Sequence, residues 1–417
     1  MVVRTNSITH RILQAPSLQA FQIRDFRLLW FGAFLSFCGS WIQNIAQGWL
    51  VFHITGSEYK LALVSFCGMA PVSLLGPFAG TLADTLNRRA VLIAAQSIFA
   101  AGALFLAAAT YWDFVQYWHI LAVALILGVV AAVEMPTRQS LVSAVVPMDM
   151  IPRAIPINAM TFNAARLIGP AIGAVLLARF GPSMSYLVNG ISFAALIFAV
   201  MAIRADLRAV PRKKEPIGDL LLGGVRYTFR HVQLRTLFLM EASVSAFGLF
   251  YLPLMPAIAK VHLGLGKEGL GIAMTFVGVG AMAALILLMT ISHLPYKTFL
   301  VRLSMTLLAL SLIGLGFATV PWVAYLCLAI AGMSGVIQFN TTNTLFQLLS
   351  PPELRGRVIA MHIWALSGLG PFGTLLFGWI AQAVSIPAAI WLGGGLVLGG
   401  ACLGWIHRSR LQDVHIA

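Results

Sequence analysis

The sequence predicts an all-α integral membrane protein with twelve membrane-spanning helices, arranged as two pseudo-symmetric bundles of six. Three observations support this fold class. Apolar stretches long enough to cross a bilayer, which takes about 20 residues, recur along the whole 417-residue chain. Hydrophobic residues make up 59% of the chain and charged residues 10%, with a mean hydropathy of +0.90, so the polar surface of a soluble protein is missing. A charged segment at 204–233 separates the two groups of six stretches.

Helices are expected at the apolar stretches, because a helix satisfies its own backbone hydrogen bonds in lipid. The first six predicted spans cover 28–53, 61–83, 90–110, 118–146, 155–179 and 184–203. The second six cover 234–259, 268–291, 298–318, 321–348, 357–382 and 386–406. The predicted organisation is therefore a tail at 1–27, a bundle at 28–203, a linker at 204–233, a second bundle at 234–406 and a tail at 407–417.

The distribution of lysine and arginine predicts the orientation in the membrane. These residues concentrate in the N-terminal tail, the central linker and every second loop, and such a bias marks the cytoplasmic side. Both termini are therefore expected in the cytoplasm, with the protein in the cell inner (plasma) membrane. This topology, with contact to anionic lipid, explains the net charge of +14 without nucleic acid. Within the linker, the helical spacing at 217–230 predicts an amphipathic helix along the inner leaflet.

The two halves of the chain repeat each other weakly. The segment RLIGPAIGAVLL in span five (Arg166 to Leu177) parallels SGLGPFGTLLFG in span eleven (Ser367 to Gly378). Parallel six-helix halves related by an axis along the membrane normal are a transporter architecture, with the substrate site between them near mid-membrane. The repeat therefore indicates a transport function.

The loop after span two reads GTLADTLNRR. It resembles the G-x-L-A-D-R-x-G-R-R signature of the major facilitator superfamily, in which this loop faces span eleven and latches the cytoplasmic side shut. Thr85 replaces a basic residue of the signature, and Asn87 replaces a glycine, where asparagine still tolerates a left-handed turn. The alternative is a simple turn with topology-setting arginines. The residues assigned to the gating motif are Gly80, Asp84, Arg88 and Arg89.

Span five contains Gly169, Pro170 and Gly173. This segment resembles the G-P-x-x-G-G element that antiporters of the superfamily carry in the same helix. Small residues let helices approach closely, and proline bends a helix. The resemblance implies a hinge for a rocking motion and export as the direction, and ordinary helix packing is the alternative.

Ionisable residues inside spans are costly, so each is a functional candidate. Glu134 and Arg138 lie on span four at i and i+4, the favourable order for an intrahelical pair. We hypothesise that Glu134 is the proton-accepting carboxylate and Arg138 its partner, against the alternative of a static bridge. Glu241 on span seven is the reserve proton-coupling candidate, with an interfacial acid at the cytoplasmic mouth as its alternative.

Polar residues follow one face of span one and of span ten, and a polar stripe on a spanning helix faces protein or water. In the superfamily, spans one, four, seven and ten line the central cavity, so the resemblance implies a wet cavity rather than interhelical contacts alone. The candidate cavity residues are Gln43, Asn44, Gln47, Arg166, Gln338, Asn340 and Asn343.

The resemblance to the major facilitator superfamily covers nearly the whole chain. The segments at 39–57, 134–142 and 163–173 are similar to the branch with the enterobactin exporter and macrolide-efflux permeases. This resemblance implies proton-driven export of a small organic molecule by alternating access. The molecule would be siderophore-like or an amphipathic drug, and we expect the transporter to be a monomer. Proton-symport uptake is the first alternative, and a membrane-embedded enzyme or scaffold is a distant one.

Other chemistry has little support in the sequence. There is no G-x-x-x-x-G-K-[ST] loop for ATP, and neither HExxH nor GxSxG occurs. Histidines are scattered singly and the four cysteines do not pair as CxxC. We therefore expect no enzyme activity, no cofactor and no metal site.

Overall fold

A computed structural model describes residues 19–83, 86–207, 217–291, 296–351, 354–406 and 408. The first helices are α1 (Arg24–Thr55), α2 (Glu58–Ala83), α3 (Arg88–Tyr111), α4 (Tyr117–Val145), α5 (Ile151–Ala202) and α6 (Ile217–Arg230). The later helices are α7 (Val232–Phe247), α8 (Tyr251–Ala257), α9 (Lys267–Ile291), α10 (Lys297–Phe317), α11 (Pro321–Leu348), α12 (Arg355–Ser367), α13 (Gly370–Ala383) and α14 (Ile386–Ile406). Short helical turns at Gln19–Gln22, Met148–Met150 and Ile258–His262 complete the described secondary structure, which contains no strand.

The described residues contain eleven helical stretches long and apolar enough to cross a membrane. One of them, Arg153–Ala202, has 50 residues, so it would be about 75 Å long at 1.5 Å per residue. The hydrocarbon core is about 30 Å thick, and this stretch is therefore long enough to cross twice. Gly181, with φ at +78°, makes the break, because this backbone conformation is accessible to glycine. The all-α, multi-pass membrane fold predicted from the sequence is confirmed, and the described helical stretches are sufficient for twelve crossings.

Spans seven and eleven are each built from two helices. Val232–His262 contains α7, α8 and the turn at Ile258–His262, and Arg355–Ala383 contains α12 and α13. The break in span eleven leaves carbonyls at the end of α12 without helical partners. The Ser245 hydroxyl donates to the Leu366 carbonyl, and the Ser73 hydroxyl donates to the Ser367 carbonyl at 2.7 Å. Hydroxyls from α7 and α2 thus stabilise the break.

Contacts divide the chain into two compact units. The first comprises 1–46, 75–115 and 126–213, and the second comprises 47–74, 116–125 and 214–417. In the first unit, Phe26, Leu29 and Leu141 belong to a fully buried hydrophobic core. The change of unit at 213/214 falls inside the linker predicted at 204–233. The segments 47–74 and 116–125 join the C-terminal residues.

Helix α6 packs against the beginning of α12 in the second unit. A Cβ added at Gly224 would lie 2.7 Å from the Arg357 carbonyl oxygen, so the two backbones are in close contact. Thr228, one turn further along, is fully buried. This helix therefore buries one face against span eleven, which the sequence pattern alone does not indicate.

Candidate functional site

A buried polar cluster surrounds Glu134 in the first unit. Arg138 Nε donates to Glu134 Oε1 at 2.8 Å, and Gln96 Nε2 donates to the same oxygen at 3.1 Å. The Ser36 hydroxyl donates to Gln96 Oε1 at 3.2 Å. Side chains from α1, α3 and α4 thus form one continuous hydrogen-bonded cluster. Glu134 itself is buried, with an exposed fraction of 4%. Two hydrogen bonds to one oxygen offset part of the cost of burying the carboxylate.

A cavity of about 50 Å³ adjoins this cluster. A water molecule needs about 10–15 Å³ by this measure, so several waters fit beside the carboxylate. Among the residues that line the cavity, Glu134 and Arg138 are the ionisable ones, and Phe99, Phe193 and others form apolar walls. The Glu134 carboxylate therefore lies beside a small cavity with room for water.

Phe37 contributes a further contact to Arg138. The guanidinium carbon lies 4.2 Å from the centre of the Phe37 ring, and such a cation–π contact stabilises a charged arginine by about 0.5–2 kcal/mol. Arg138 therefore has a second anchor besides Glu134.

The candidate cavity residues on α1 and α5 have different surroundings. Gln43 is buried and accepts a hydrogen bond from Asn189 Nδ2 at 2.6 Å, so it connects α1 to the second half of α5. Asn44 is exposed and Gln47 is half-buried. Arg166 is half-buried, and its guanidinium carbon lies 5.9 Å from the centre of the Trp41 ring.

The three candidate cavity residues on α11 also differ in their surroundings. Gln338 is 2% exposed and accepts from the Ser304 hydroxyl at 2.9 Å, which directs it toward α10. Asn340 is half-buried and donates to the carbonyl of Val336 at 2.9 Å. Asn343 is half-buried and accepts from Gln347 Nε2 at 2.8 Å. Asn340 and Asn343 thus hydrogen-bond within their own helix.

Glu241 lies in a second, separate buried site. Its Oε2 atom is 2.6 Å from Nδ1 of His362 on α12, and both side chains are fully buried. The His362 ring also contacts Phe339 and Phe346, at centroid distances of 5.2 and 5.4 Å. One proton must lie between the acid and the imidazole, because both atoms are otherwise acceptors. Glu241 is therefore shielded from solvent by the protein itself.

Two members of these sites were not identified from the sequence. His362 is 121 positions from Glu241, and Gln96 is 38 positions from Glu134. A polar residue in an apolar span is the only local signal of each. That signal does not name the partner.

The loop after span two is described in part. Gly80 lies in the last turn of α2, and Asp84 lies outside the described residues. Arg88 begins α3 and is half-buried. Arg89 Nη2 donates to the carbonyl of Ile203 at 2.5 Å, and this hydrogen bond connects α3 to the end of span six.

Asn87 corrects an expectation for this loop. Its backbone is extended, with φ at −66° and ψ at 108°, and not left-handed. Its side chain instead accepts from the backbone N–H groups of Arg89 and Ala90, at 3.0 and 3.4 Å. Asn87 is therefore the N-cap of α3, a role that asparagine fills as well as any residue.

The small residues of span five form a tight contact with α1. A Cβ added at Gly169 would lie 2.6 Å from Trp41 Cβ, and one added at Gly173 would lie 2.9 Å from Ile42 Cα. Pro170 between them is buried. Both glycines therefore allow close backbone approach, as their sequence pattern suggests.

Replacing Gly173 with alanine should lower the stability of the protein by about 1–3 kcal/mol, the usual cost of overpacking. The added methyl group would meet backbone atoms of Ile42, which cannot rotate away. The matched control is Gly395→Ala on α14, where an added Cβ has no atom within 4 Å. Thermal unfolding of detergent-purified protein measures both variants, and equal stability of the two would contradict the packing interpretation.

Comparison with known proteins identifies the family. A family model described as transmembrane secretion effector, of the major facilitator type, matches residues 15–416. The staphyloferrin A transporter of Staphylococcus aureus is 25% identical over 355 residues, 85% of this chain and 89% of that protein. The multidrug efflux pump Tap of Mycobacterium tuberculosis is 24% identical over 407 residues, 94% of each chain.

Two further similarities agree with this family. Macrolide efflux protein A of Streptococcus pyogenes is 24% identical over 393 residues, 89% of this chain and 93% of that protein. The crystal structure of a mutant nucleoside transporter, NupG, superposes with a TM-score of 0.76 at 14% identity. It covers 92% of this chain and 99% of that chain, which shows a shared fold. The resemblance stated from the sequence is confirmed: the chain belongs to the transmembrane secretion effector family of the major facilitator superfamily, and it is a multi-pass membrane transporter rather than an enzyme.

Proposed function

We propose that this protein exports a small organic molecule in exchange for protons, by alternating access of two six-helix bundles. The observation that carries this proposal is the Glu134 cluster. A carboxylate inside a membrane span, paired with Arg138 and adjoining a cavity with room for water, is suited to bind and release a proton. Glu134 is the proton-coupling residue in this mechanism and Arg138 is its partner.

The two states of Glu134 explain how coupling works. When ionised, the carboxylate neutralises Arg138 at 2.8 Å. A proton and a hydrogen-bond-donating group of the substrate would compete for this carboxylate. Protonation of Glu134 would therefore release the substrate, and binding of the substrate would release the proton, as exchange requires. Glu241 is the second candidate for proton coupling, with His362 as its partner.

The charges of the spans and the names of the relatives support a proposed substrate class. Arg138 and Arg166 lie in spans four and five with one carboxylate, Glu134, which favours an anionic or polar-aromatic molecule. One relative is named for staphyloferrin A, and two are named for multidrug or macrolide efflux. We therefore propose a siderophore-like carboxylate or an amphipathic drug as the cargo.

The proposal also includes the location of the protein, its orientation in the membrane, the lining of its cavity and its gate. The protein lies in the cell inner membrane as a monomer, with both termini and the 204–233 segment in the cytoplasm. The bias of lysine and arginine supports this orientation. The candidates for the lining of the substrate cavity include Asn44, Gln47 and Asn340. Gly80, Asp84, Arg88 and Arg89 gate its cytoplasmic side.

Alternating access also requires contacts that close the side of the protein opposite the cytoplasm, and contacts inside the second unit support this. A Cβ added at Gly378 would lie 2.2 Å from Ala62 Cβ, so α2 and α13 are in close contact there. Lys260 Nζ lies 5.9 Å from the ring centre of Trp49 and 5.7 Å from that of Phe52. These contacts join the outer parts of spans one and two to spans seven and eleven. They must separate when the protein opens outward.

Labelling of Ala62→Cys should report this separation. Ala62 is fully buried, so a cysteine there should react slowly with a membrane-impermeant maleimide, in a background without the four native cysteines. The rate should rise when substrate or a pH gradient drives the protein to the outward-open state. Tyr59→Cys, at a position 37% exposed, is the control and should react at a constant rate. A constant rate at both positions would contradict alternating access through this contact.

Transport by oriented proteoliposomes tests the function itself. Staphyloferrin A and a macrolide are the two probes, each offered with an imposed pH gradient. Outward substrate movement in exchange for inward protons is the expected result. Movement of substrate and protons in the same direction would instead establish uptake by symport. Absence of transport of both probes, with binding of each by thermal shift also absent, would remove the proposed substrate classes.

A further inference from the structure

We propose that the first unit binds one anionic phospholipid in a groove between α1 and the second half of α5. The groove has a volume of about 670 Å³, within the range of about 300–1,000 Å³ that is typical of ligand sites. Its lining changes from charged to apolar along its length. Arg24 and Arg27 lie at one end, and Phe31, Leu35 and Phe198 are exposed along the rest.

The close approach of two helices forms the floor of the groove. A Cβ added at Gly32 would lie 2.8 Å from Ala199 Cβ and 3.1 Å from the Leu196 Cα. Because no larger side chain fits between them, a furrow remains on the outer side, bordered by Phe31 and Phe198. Both helices are candidate membrane spans, so the furrow faces the hydrocarbon chains of the bilayer.

The length of the groove matches one leaflet. Arg24 and Leu35 are eleven positions apart on α1, which corresponds to about 16 Å at 1.5 Å per residue. Half of a hydrocarbon core about 30 Å thick is about 15 Å. An acyl chain in the groove therefore places its headgroup beside the two arginines. By the proposed orientation this is the cytoplasmic leaflet.

The charges at this end favour an anion. Arg24 Nη1 donates to the Ala202 carbonyl at 3.1 Å and lies 3.3 Å from Asp25 Oδ1, and its side chain is 47% exposed. Asp25 Oδ2 accepts from the backbone N–H groups of Arg204 and Ala205, at 3.0 and 2.9 Å. Arg24, Arg27 and Arg204 thus outnumber Asp25 and the nearby Asp206. Basic residues near a leaflet surface attract anionic lipid.

The chain's own N-terminal segment is a poor occupant of the groove. Residues 1–18 contain Arg4 and Arg11 and no acidic residue. This segment would therefore be repelled by Arg24 and Arg27. A lipid phosphate has the opposite charge and comes with an apolar chain of the required length.

Thermal stability with defined lipids tests the proposal on the full-length protein in detergent. Dioleoyl phosphatidylglycerol should raise the Tm more than dioleoyl phosphatidylcholine, and native mass spectrometry should detect one retained phosphatidylglycerol. Arg27→Glu should abolish this difference by reversing a charge at the headgroup end. Ala202→Phe should abolish it by filling the groove, since Ala202 lines the groove and is exposed. Arg230→Glu, at an exposed position of α6 outside the groove, should retain it.

Each other result would overturn the site. An equal effect of the two lipids would exclude an anionic ligand. A lipid difference that survives both Arg27→Glu and Ala202→Phe would place the ligand elsewhere. A difference lost equally in Arg230→Glu would indicate a general response to surface charge. If phosphatidylglycerol is retained only after residues 1–18 are deleted, we would conclude that this segment, and not a lipid, occupies the groove in the full-length protein.

Discussion

Replacing Glu134 with glutamine should abolish transport driven by a pH gradient while leaving substrate exchange intact. Glutamine keeps the shape of the side chain and an oxygen that accepts from Gln96 and Arg138. It cannot bind a proton, so Arg138 stays uncompensated in every state of the cycle. Proteoliposomes measure the two activities separately, as accumulation against a gradient and as exchange at equal substrate concentrations.

The control for Glu134→Gln is Glu268→Gln. Glu268 is exposed in the first turn of α9, so its replacement removes the same charge without touching the cluster. We expect this control to transport like the wild type. Full pH-gradient-driven accumulation by Glu134→Gln would exclude Glu134 as the coupling residue. Loss of exchange as well would indicate a binding or folding defect, which a thermal-shift measurement with substrate separates.

Removing one member of the Glu241–His362 pair should destabilise the protein more than removing both. Glu241→Leu leaves the imidazole buried among Phe339 and Phe346, and His362→Leu leaves the carboxyl group without its partner. An unpaired buried polar group costs about 1–3 kcal/mol, and an unpaired buried charge about 3–5 kcal/mol. The double variant Glu241→Leu/His362→Leu replaces both by apolar groups, and similar replacements in other proteins are often neutral.

A double-mutant cycle measures the coupling between these two residues. The free energy of unfolding, from titration with SDS in mixed micelles, should give an interaction of about 0.5–3 kcal/mol. Additive effects of the single variants would mean that the contact at 2.6 Å contributes nothing to stability.

Glu241→Gln separates the structural role of the pair from a coupling role. The amide retains a hydrogen bond to the neutral imidazole. Loss of pH-gradient-driven transport in this variant, with stability retained, would transfer proton coupling to the pair. Because Glu134 adjoins a cavity with room for water and Glu241 is fully buried, we expect Glu241→Gln to remain coupled.

Several features of the site follow from local spacing. Glu134 and Arg138 are one turn apart on one helix, so their pairing at 2.8 Å is a consequence of α-helical geometry. Gly169 and Gly173 are also one turn apart, and they meet α1 with the same side of the helix. The helix at Ile217–Arg230 likewise occurs where apolar and basic residues alternate at helical spacing.

Other features were not predictable from spacing. Gln43 and Gln338 belong to polar stripes, and both are buried against neighbouring helices, Gln43 with Asn189 and Gln338 with Ser304. A stripe indicates that one face avoids lipid. It does not distinguish a cavity from a hydrogen bond to another helix, because both satisfy the same side chain.

The sequence by itself determined the class, the spans and the pairs that lie within one helix, since hydrophobic length and a 3.6-residue period act locally along the chain. Tertiary structure decided that Glu241 meets His362 across 121 positions and that Gln96 completes the site of Glu134. It also decided that Asn87 caps α3 instead of adopting a left-handed turn. The physical reason is that a buried polar group must find a partner, and which partner lies within about 3 Å depends on how helices distant in sequence pack.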